Sequence, residues 1–577
     1  MTQYSDEKQA QIVIALLKAH GIKRVIASPG ATNITFVGSV QNDPFFSVYS
    51  AVDERSAAYM ACGLAAETGE PVVISCTGAT ASRNFLPGLT EAFYRKLPVL
   101  AVTSTQIQAR IGHHVAQVID RTSLPRDVVK LSVDLCIARD PEEIWECEMK
   151  VNRAILELTR HGGGPVHINL PTTYSRDFTV KELPNYRKID RWFPGDTPPE
   201  LKGRVAVFIG AHKTWSAAET AALEKFCEVN NGAVFCDHTS GYRGKYRVQG
   251  ALIGGQEMVD KSAFKPDVRI HIGEITGDYE SHSLVGKVVW RVSPDGEVRD
   301  TFRRLRHVFE MSEQNFFELY SQGEAGQTSF YETCKKALAD KRALIPEMPF
   351  SNIWIASQIA AHIPEGSVVH FAILNSLRAW NFFELPNSVR SMSNTGGFGI
   401  DGCMSSLIGA ALADPDRLYF LVTGDLAFFY DMNALGNRHL AKNVRILLIN
   451  NGKGTEFTQH NHAGSHFGMD ANRFIAADGH FGQMSPDLVK GYAEALGLEY
   501  IPFRGKQELS EVATRLLSSQ VPERPILVEA FVDAEDESAA LKMIKNLETN
   551  LSGGARRLAK NILGPAKLQT LKRVLKR

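Results

Sequence analysis

Short apolar runs rich in valine, isoleucine and phenylalanine alternate along the chain with longer segments in which apolar residues recur every three or four positions. The runs fall into three groups. "KRVIASPG", "PVVISCTG", "LPVLAVTS" and "PVHINLP" lie before residue 175; "RVAVFIGA", "GAVFCDH", "VRIHIGE" and "KVVWRVS" lie between 204 and 293; "SVVHFAI", "YFLVTGD", "NVRILLINN" and "PILVEAFV" lie after 366. Strands alternating with helices predict βαβ units, and uninterrupted apolar runs predict parallel strands covered on both faces. The expected fold is therefore α/β, with three doubly wound parallel-sheet domains over 1–180, 203–330 and 345–540. A proline-rich, charged stretch over 181–202 reads as a linker. At 577 residues the chain is too long for one core.

The first and third groups match each other. Residues 61–104 and 403–451 share the order helix, strand, helix, strand, and the first strand of each ends in Thr-Gly, in "CTGAT" and "VTGDL". This predicts two versions of one unit. In the second version an acid follows the glycine, so that Asp425 sits between the apolar run 418–423 and the apolar Leu426, Ala427, Phe428 and Phe429. A buried carboxylate without a partner is costly, which predicts a cation, an amide cluster or a ligand beside it.

Asn450 and Asn451 follow 25 and 26 residues later, at the end of the next strand. Neighbouring parallel strands end at the same carboxyl edge, where ligands bind. A carboxylate, an amide oxygen and a backbone carbonyl such as that of Lys453 are hard oxygen donors. They suit magnesium, which completes its shell with phosphate oxygens and water. A rival reading comes from "GFGIDG", residues 397–402, which satisfies GxGxxG and has Asp425 about twenty residues on, as in a NAD-linked dehydrogenase. A ribose-reading acid, however, is not normally followed by a second polar signature such as "NNGKG".

Composition narrows the partners. Lysine plus arginine equals aspartate plus glutamate, 64 each, so no overall charge points to nucleic acid. The eight cysteines are scattered without a CxxC pair, which fits reduced thiols in a cytoplasmic protein. The opening segment reads as an amphipathic helix with acids rather than a signal peptide, and no run of 18 apolar residues predicts a membrane span. The stretch 541–577 reads as a basic amphipathic tail. From Gly553 it carries eight basic residues and no acid, a pattern suited to peripheral contact with an anionic membrane surface or a partner.

The Gly424, Asp425 and Asn450, Asn451 spacing resembles the diphosphate and metal motif of the thiamine diphosphate enzymes. "GDLAFFYDMNAL", with Leu426 after the acid, is especially similar to their menaquinone-pathway synthase branch. The resemblance covers nearly all of residues 1–535, in the order pyrimidine-binding, central and diphosphate-binding domain. It implies thiamine diphosphate and Mg²⁺ as cofactors. Gly424, Asp425, Leu426 and Asn451 would serve the diphosphate, and Asp425, Asn451 and the Lys453 carbonyl the metal. "AVDERSAAYMACGLA" places Glu54 where the family has the glutamate that bonds the aminopyrimidine and activates the cofactor. Gly399 and Ile400 match the point where an apolar residue wedges beneath the cofactor. The family pairs these two domains across subunits, which implies a homodimer at least, often a homotetramer. The central region shows no strong flavin signature.

The reaction so implied is decarboxylation of a 2-oxo acid. The remaining fragment is released as an aldehyde or joined to an aldehyde or ketone acceptor. In "ARIGHHVAQVID", His113 and His114 resemble the paired histidines of pyruvate decarboxylases, and Arg110 and Gln117 match substrate-contacting positions of the menaquinone-pathway branch. After the metal motif, "GTEFTQHNHAGSHFG" adds Glu456, His460, His462 and His466, and histidine suits proton transfer near neutrality. Two departures bear on substrate: Ala31 and Thr32 stand where the branch has Ser-Arg, and Thr395 stands in place of another arginine. Threonine does not reproduce bidentate carboxylate recognition. Another substrate than 2-oxoglutarate with isochorismate is thus expected, with that pair as the alternative. Arg378 in "ILNSLRAW" is a shifted candidate for the missing charge. A cofactor-binding homologue without turnover is the remaining class.

Overall fold

The computed structural model describes residues 2–460, 462–480 and 485–548. The chain forms two compact units, Met1–Asp196 with Asp295–Glu310, and Thr197–Pro294 with the chain from Met311 onward. Unit 1 is built on a six-stranded parallel sheet of β1 (Arg24–Ala27), β2 (Ser47–Ser50), β3 (Val72–Cys76), β4 (Val99–Thr105), β5 (Leu131–Asp134) and β6 (Val166–Pro171), in the order β2-β1-β3-β4-β6-β5.

The apolar runs of β3, β4 and β6 are buried along their whole length because alternate residues serve opposite faces. Val73, Leu100, Val102 and Ile168 pack with Ile12, Val13 and Leu16 of the helix Lys8–Ala19. Val72, Ile74, Val99 and Ala101 pack with Ala57, Ala58, Ala61 and Ala65 of the helix Glu54–Thr68. The small side chains of that helix admit a close neighbour: a Cβ on Gly88 would lie 2.4 Å from the Ala58 Cβ.

The stretch expected as a linker contains a further strand, β7 (Asp190–Trp192). In unit 2, β8 (Val205–Ile209), β9 (Gly232–Cys236), β10 (Arg247–Gln249), β11 (Val268–Ile272) and β12 (Val288–Val292) run in the order β10-β9-β8-β11-β12, all parallel. The chain then returns to unit 1 as β13 (Leu305–Phe309), which pairs in parallel with β7 through His307 opposite Asp190.

The last sheet comprises β14 (Val368–Phe371), β15 (Arg390–Ser393), β16 (Tyr419–Gly424), β17 (Val444–Asn450), β18 (Glu499–Phe503) and β19 (Ile526–Phe531), in the order β15-β14-β16-β17-β19-β18. Strand for strand this is the order of the unit 1 sheet. The Thr-Gly pairs that revealed the repeat follow β3 and end β16, the third strand of each sheet. The α/β reading with three parallel sheets therefore holds.

The helix Ala534–Ile544 runs past residue 541, where the tail was expected to start. Its end is tied down by the Glu257 N–H, which donates to the Lys545 carbonyl, and by Gln256, which bonds the Ile544 carbonyl and the Leu547 N–H. The basic stretch from Gly553 lies outside the described residues. Among the described residues no helix is long and apolar enough to cross a membrane.

Candidate active site

In an open parallel sheet the loops after adjacent strands part where the strand order reverses, and ligands bind at that carboxyl edge. In unit 2 this point lies between β14 and β16. A cavity is found there, lined by Leu374, Asn375 and Ser376 after β14, by Gly424 to Ala427 at the end of β16, and by Asn451 and Lys453 to Phe457 after β17. Leu374 holds a left-handed backbone (φ 69°), a conformation costly for a non-glycine residue and found mostly where a site demands it.

Asp425 is the first residue of the helix Asp425–Asp431 and is 5% exposed. Its Oδ1 accepts from the Leu426 N–H at 2.8 Å. Its Oδ2 is buried and has no hydrogen-bond partner among the described residues. Burial pushes its pKa up to about 6, against the amides of Leu426, Gly452 and Asn451, which favour the charged form. In front of Gly424 the space is open, with no atom within 4 Å of where a Cβ would stand.

The two asparagines divide their roles. Asn450 is fully buried and donates to Glu529 Oε1 at 2.7 Å, tying β17 to β19. Asn451 lines the cavity, donates to Thr455 Oγ1 (3.2 Å), and accepts from the Lys453 N–H through Oδ1 (3.3 Å). The Lys453 carbonyl accepts from the Thr455 N–H at 2.9 Å. The orphaned Asp425 oxygen, the Asn451 amide and the Lys453 carbonyl form a hard oxygen donor set beside open space, and thiamine diphosphate with a divalent cation fits it.

Ile400 lines the same cavity and packs on the core that contains Phe428 and Leu448. Gly399 belongs to the turn beside it, where a Cβ would meet Asp401 Oδ1 at 2.5 Å. The dinucleotide reading of this turn fails by position. The strand before it, β15, is the edge strand of its sheet, whereas a dinucleotide fingerprint follows a central strand at the switch point.

Glu456, in the loop after β17, is half-buried and paired with Arg378 Nη1, while the Arg378 guanidinium lies over the Tyr279 ring at 4.8 Å. The Asn375 amide is oriented with its nitrogen toward Glu456 Oε2 and its oxygen accepting from the Glu456 N–H. The loop histidines separate. His460 Nε2 lies 3.3 Å from Glu257 Oε1, and His462 Nδ1 accepts from the Gly464 N–H, leaving Nε2 as the proton-bearing nitrogen of the neutral ring. His466 is exposed, edge-on to Phe467.

Sequence reasoning missed Glu537. It lines this cavity, is 5% exposed, and accepts from the Asn352 N–H at 2.8 Å. Burial, reinforced by Asp425, pushes its pKa up to about 7. The signal was available: Glu537 shares a helical stripe with the buried Ala540, Leu541 and Ile544, at spacings of three, four and seven.

In unit 1, Asp53 caps the helix Glu54–Thr68 by accepting from the Arg55 and Ser56 amides, which sets Glu54 at its first turn. Glu54 is half-buried, and Asn84 Nδ2 donates to its Oε2 at 3.2 Å. Arg110, His113, His114 and Gln117 are exposed. His114 (φ 55°) and Gln117 (φ 62°) both take left-handed backbones. Arg110 Nη1 bonds Gln106 Oε1. Thr32, in the place of the absent arginine, faces inward. It is 2% exposed, and its Oγ1 bonds Thr77 Oγ1 (2.7 Å), the Ser104 carbonyl (3.0 Å) and the Gly78 N–H (3.1 Å).

Family comparison agrees with this arrangement. The description "Thiamine pyrophosphate enzyme, N-terminal TPP binding domain" matches residues 7–124, and the C-terminal TPP binding domain matches residues 375–530. A 2-succinyl-5-enolpyruvyl-6-hydroxy-3-cyclohexene-1-carboxylate synthase of Bacteroides fragilis is 31% identical over 566 residues, 93% of this chain and 98% of the relative. The chain belongs to the thiamine pyrophosphate enzymes. Synthases of the same name from Phocaeicola vulgatus and Bacteroides thetaiotaomicron are each 30% identical over the same shares of both chains. In this thiamine pyrophosphate enzyme the first matched region spans β1 to β4 and Glu54, and the second spans β15 to β18, nearly all of β19, and Asp425.

Proposed function

We propose that the enzyme decarboxylates a 2-oxo acid with thiamine diphosphate and Mg²⁺, and either passes the remaining acyl fragment to an aldehyde or ketone acceptor or releases it as an aldehyde. The observation that carries this reading is the buried Asp425 Oδ2, orphaned among the described residues and set beside Asn451 at the carboxyl edge of β16 and β17. Bound thiamine diphosphate supplies the carbon nucleophile that adds to the 2-oxo group and takes up the electron pair left as carbon dioxide departs.

Asp425, Asn451 and the Lys453 carbonyl hold the metal, with Gly424 and Leu426 against the diphosphate. Ile400 and Gly399 would lie against the bound cofactor, with the Ile400 side chain beneath it. Glu54 holds the proton on the aminopyrimidine ring. His113, His114 and Glu456 exchange protons with the substrate, Gln117 hydrogen-bonds it at the same catalytic positions, and Arg110, Arg378, His460 and His462 orient it.

The minimum assembly proposed is a homodimer, since in the family the domains that carry these two carboxylates pair across subunits. Val52, Tyr59 and Met60, around Glu54, are 79%, 48% and 46% exposed, an apolar patch suited to burial against a second copy. A cytoplasmic location goes with this reading, with contact to a membrane or partner through the basic tail.

The test is a screen of 2-oxo acids, with and without aldehyde acceptors, read by carbon dioxide release and mass spectrometry. Magnesium-dependent release from at least one donor is expected. Cofactor binding with no release from any donor would contradict the reading. The reaction named for the relatives is the second reading, supported by their 31% identity, and 2-oxoglutarate with isochorismate in the screen distinguishes it.

A further inference from the structure

A second cavity, of about 370 Å³, adjoins the cofactor cavity in unit 2 and shares Asn375, Glu456 and Glu537 with it. Its other walls include Tyr279, Glu280, Arg378, Phe382, His462 and Lys545. Such a space is large enough for the distal part of a small donor. Its charges are already matched. Arg378 pairs with Glu456 and lies over Tyr279. Lys545 Nζ is 2.5 Å from Glu280 Oε1, with the lysine side chain 6% exposed. The carboxylate left over is Glu537, whose Oε1 accepts from the Asn352 N–H.

We propose that this cavity receives the end of the 2-oxo acid remote from its reacting carbonyl, and that this end is an uncharged polar group, a carboxamide or a hydroxyl, not a second carboxylate. The inference rests on the decarboxylase reading above and adds the class of donor. A second carboxylate here would add a negative charge beside Glu280 and Glu456, with the charge of both lining cations already met. Arg378 Nε has no hydrogen-bond partner among the described residues, but the guanidinium charge is already met by Glu456, and to pair with Lys545 a second carboxylate would have to displace Glu280. A buried charge without a partner is strongly disfavoured.

A carboxamide or hydroxyl carries no such cost, because it donates to a carboxylate and accepts from a donor such as the proton-bearing Nε2 of His462. Tyr279 and Phe382 cover the apolar part of the same chain.

The test compares kcat/KM for 2-oxoglutarate, for its 5-carboxamide and for 2-oxopentanoate, using the magnesium- and cofactor-loaded enzyme and reading carbon dioxide release. The carboxamide is expected to exceed 2-oxoglutarate by about ten-fold or more. In Glu280→Gln, which frees Lys545, the ratio of carboxamide to acid is expected to fall by about ten-fold. Native preference for 2-oxoglutarate, or an unchanged ratio in Glu280→Gln, would overturn this inference while leaving the decarboxylase reading in place. No release from any of the three donors, with thiamine diphosphate bound, would overturn both.

Discussion

Asp425 and Glu54 are two acids at the first turns of two helices, and their surroundings give them different work. Asp425 is enclosed, with one oxygen on its own helix N-terminus and the other orphaned among the described residues, so removal of its carboxylate should cost the proposed metal site. In Asp425→Ala, calorimetric titration is expected to show magnesium-dependent thiamine diphosphate binding weakened by about 100-fold or more. Glu54 is half-buried against Asn84, and Glu54→Gln should keep magnesium-dependent binding while turnover falls by about 100-fold or more.

Glu537 adds a pH dependence to stability. Its carboxyl titrates near 7 in the folded chain, above the unfolded value, so between about pH 4.5 and pH 7 the folded state binds more protons and stability falls as pH rises. Glu537→Gln removes this term. In the cofactor-free protein the variant should melt above the native chain at pH 7.5, an advantage worth up to roughly 3 kcal/mol that vanishes near pH 4.5. Asp425 was legible in the sequence because it interrupts an apolar strand end. Glu537 was not, because acids flank it at Glu535 and Asp536 and the helix reads as exposed until its buried stripe is traced through Ile544.

Among the elements, the exit of β1 shows how a family position changes its use. "SPGAT" crosses from β1 toward β3 with Gly30 so close that a Cβ would lie 2.1 Å from the Thr77 Cβ. Thr32 then latches onto Thr77, Ser104 and Gly78. Thr32→Val, which keeps the shape and removes the hydroxyl, leaves the Gly78 N–H without that acceptor. It should lower stability by about 1–3 kcal/mol, read from the shift in the urea unfolding midpoint.

The family resemblance implies an arginine here, and this chain has Thr32. Which way the threonine points depends on packing between strands far apart in the chain, and no local pattern carries that. The strand runs, by contrast, are readable because β3, β16 and β17 are apolar along most of their length and β4 through Val102, which is what burial on both faces requires. β7 reads as linker because its three residues, Asp190–Trp192, carry two charges followed by a single apolar side chain, with a proline soon after.

At the scale of the molecule, the repeat of strand order between the first and last sheets is the feature that sequence comparison within the chain caught earliest. Thr-Gly recurs at the third strand of each, and the order of all six strands follows. Two related units, each with one acid of the proposed pair, make sense of a duplicated architecture: on the proposed reading one activates the cofactor and the other anchors it. If the homodimer brings them together across subunits, each variant lacks a different half of every site.

Mixing Glu54→Gln with Asp425→Ala under conditions that exchange subunits is therefore the most direct measurement. Random reassociation makes half the dimers hybrid, each with one intact site of two, so about a quarter of native magnesium-dependent carbon dioxide release should return from two inactive parents. A mixture that stays inactive although hybrids form, or either parent active by itself, would contradict the account.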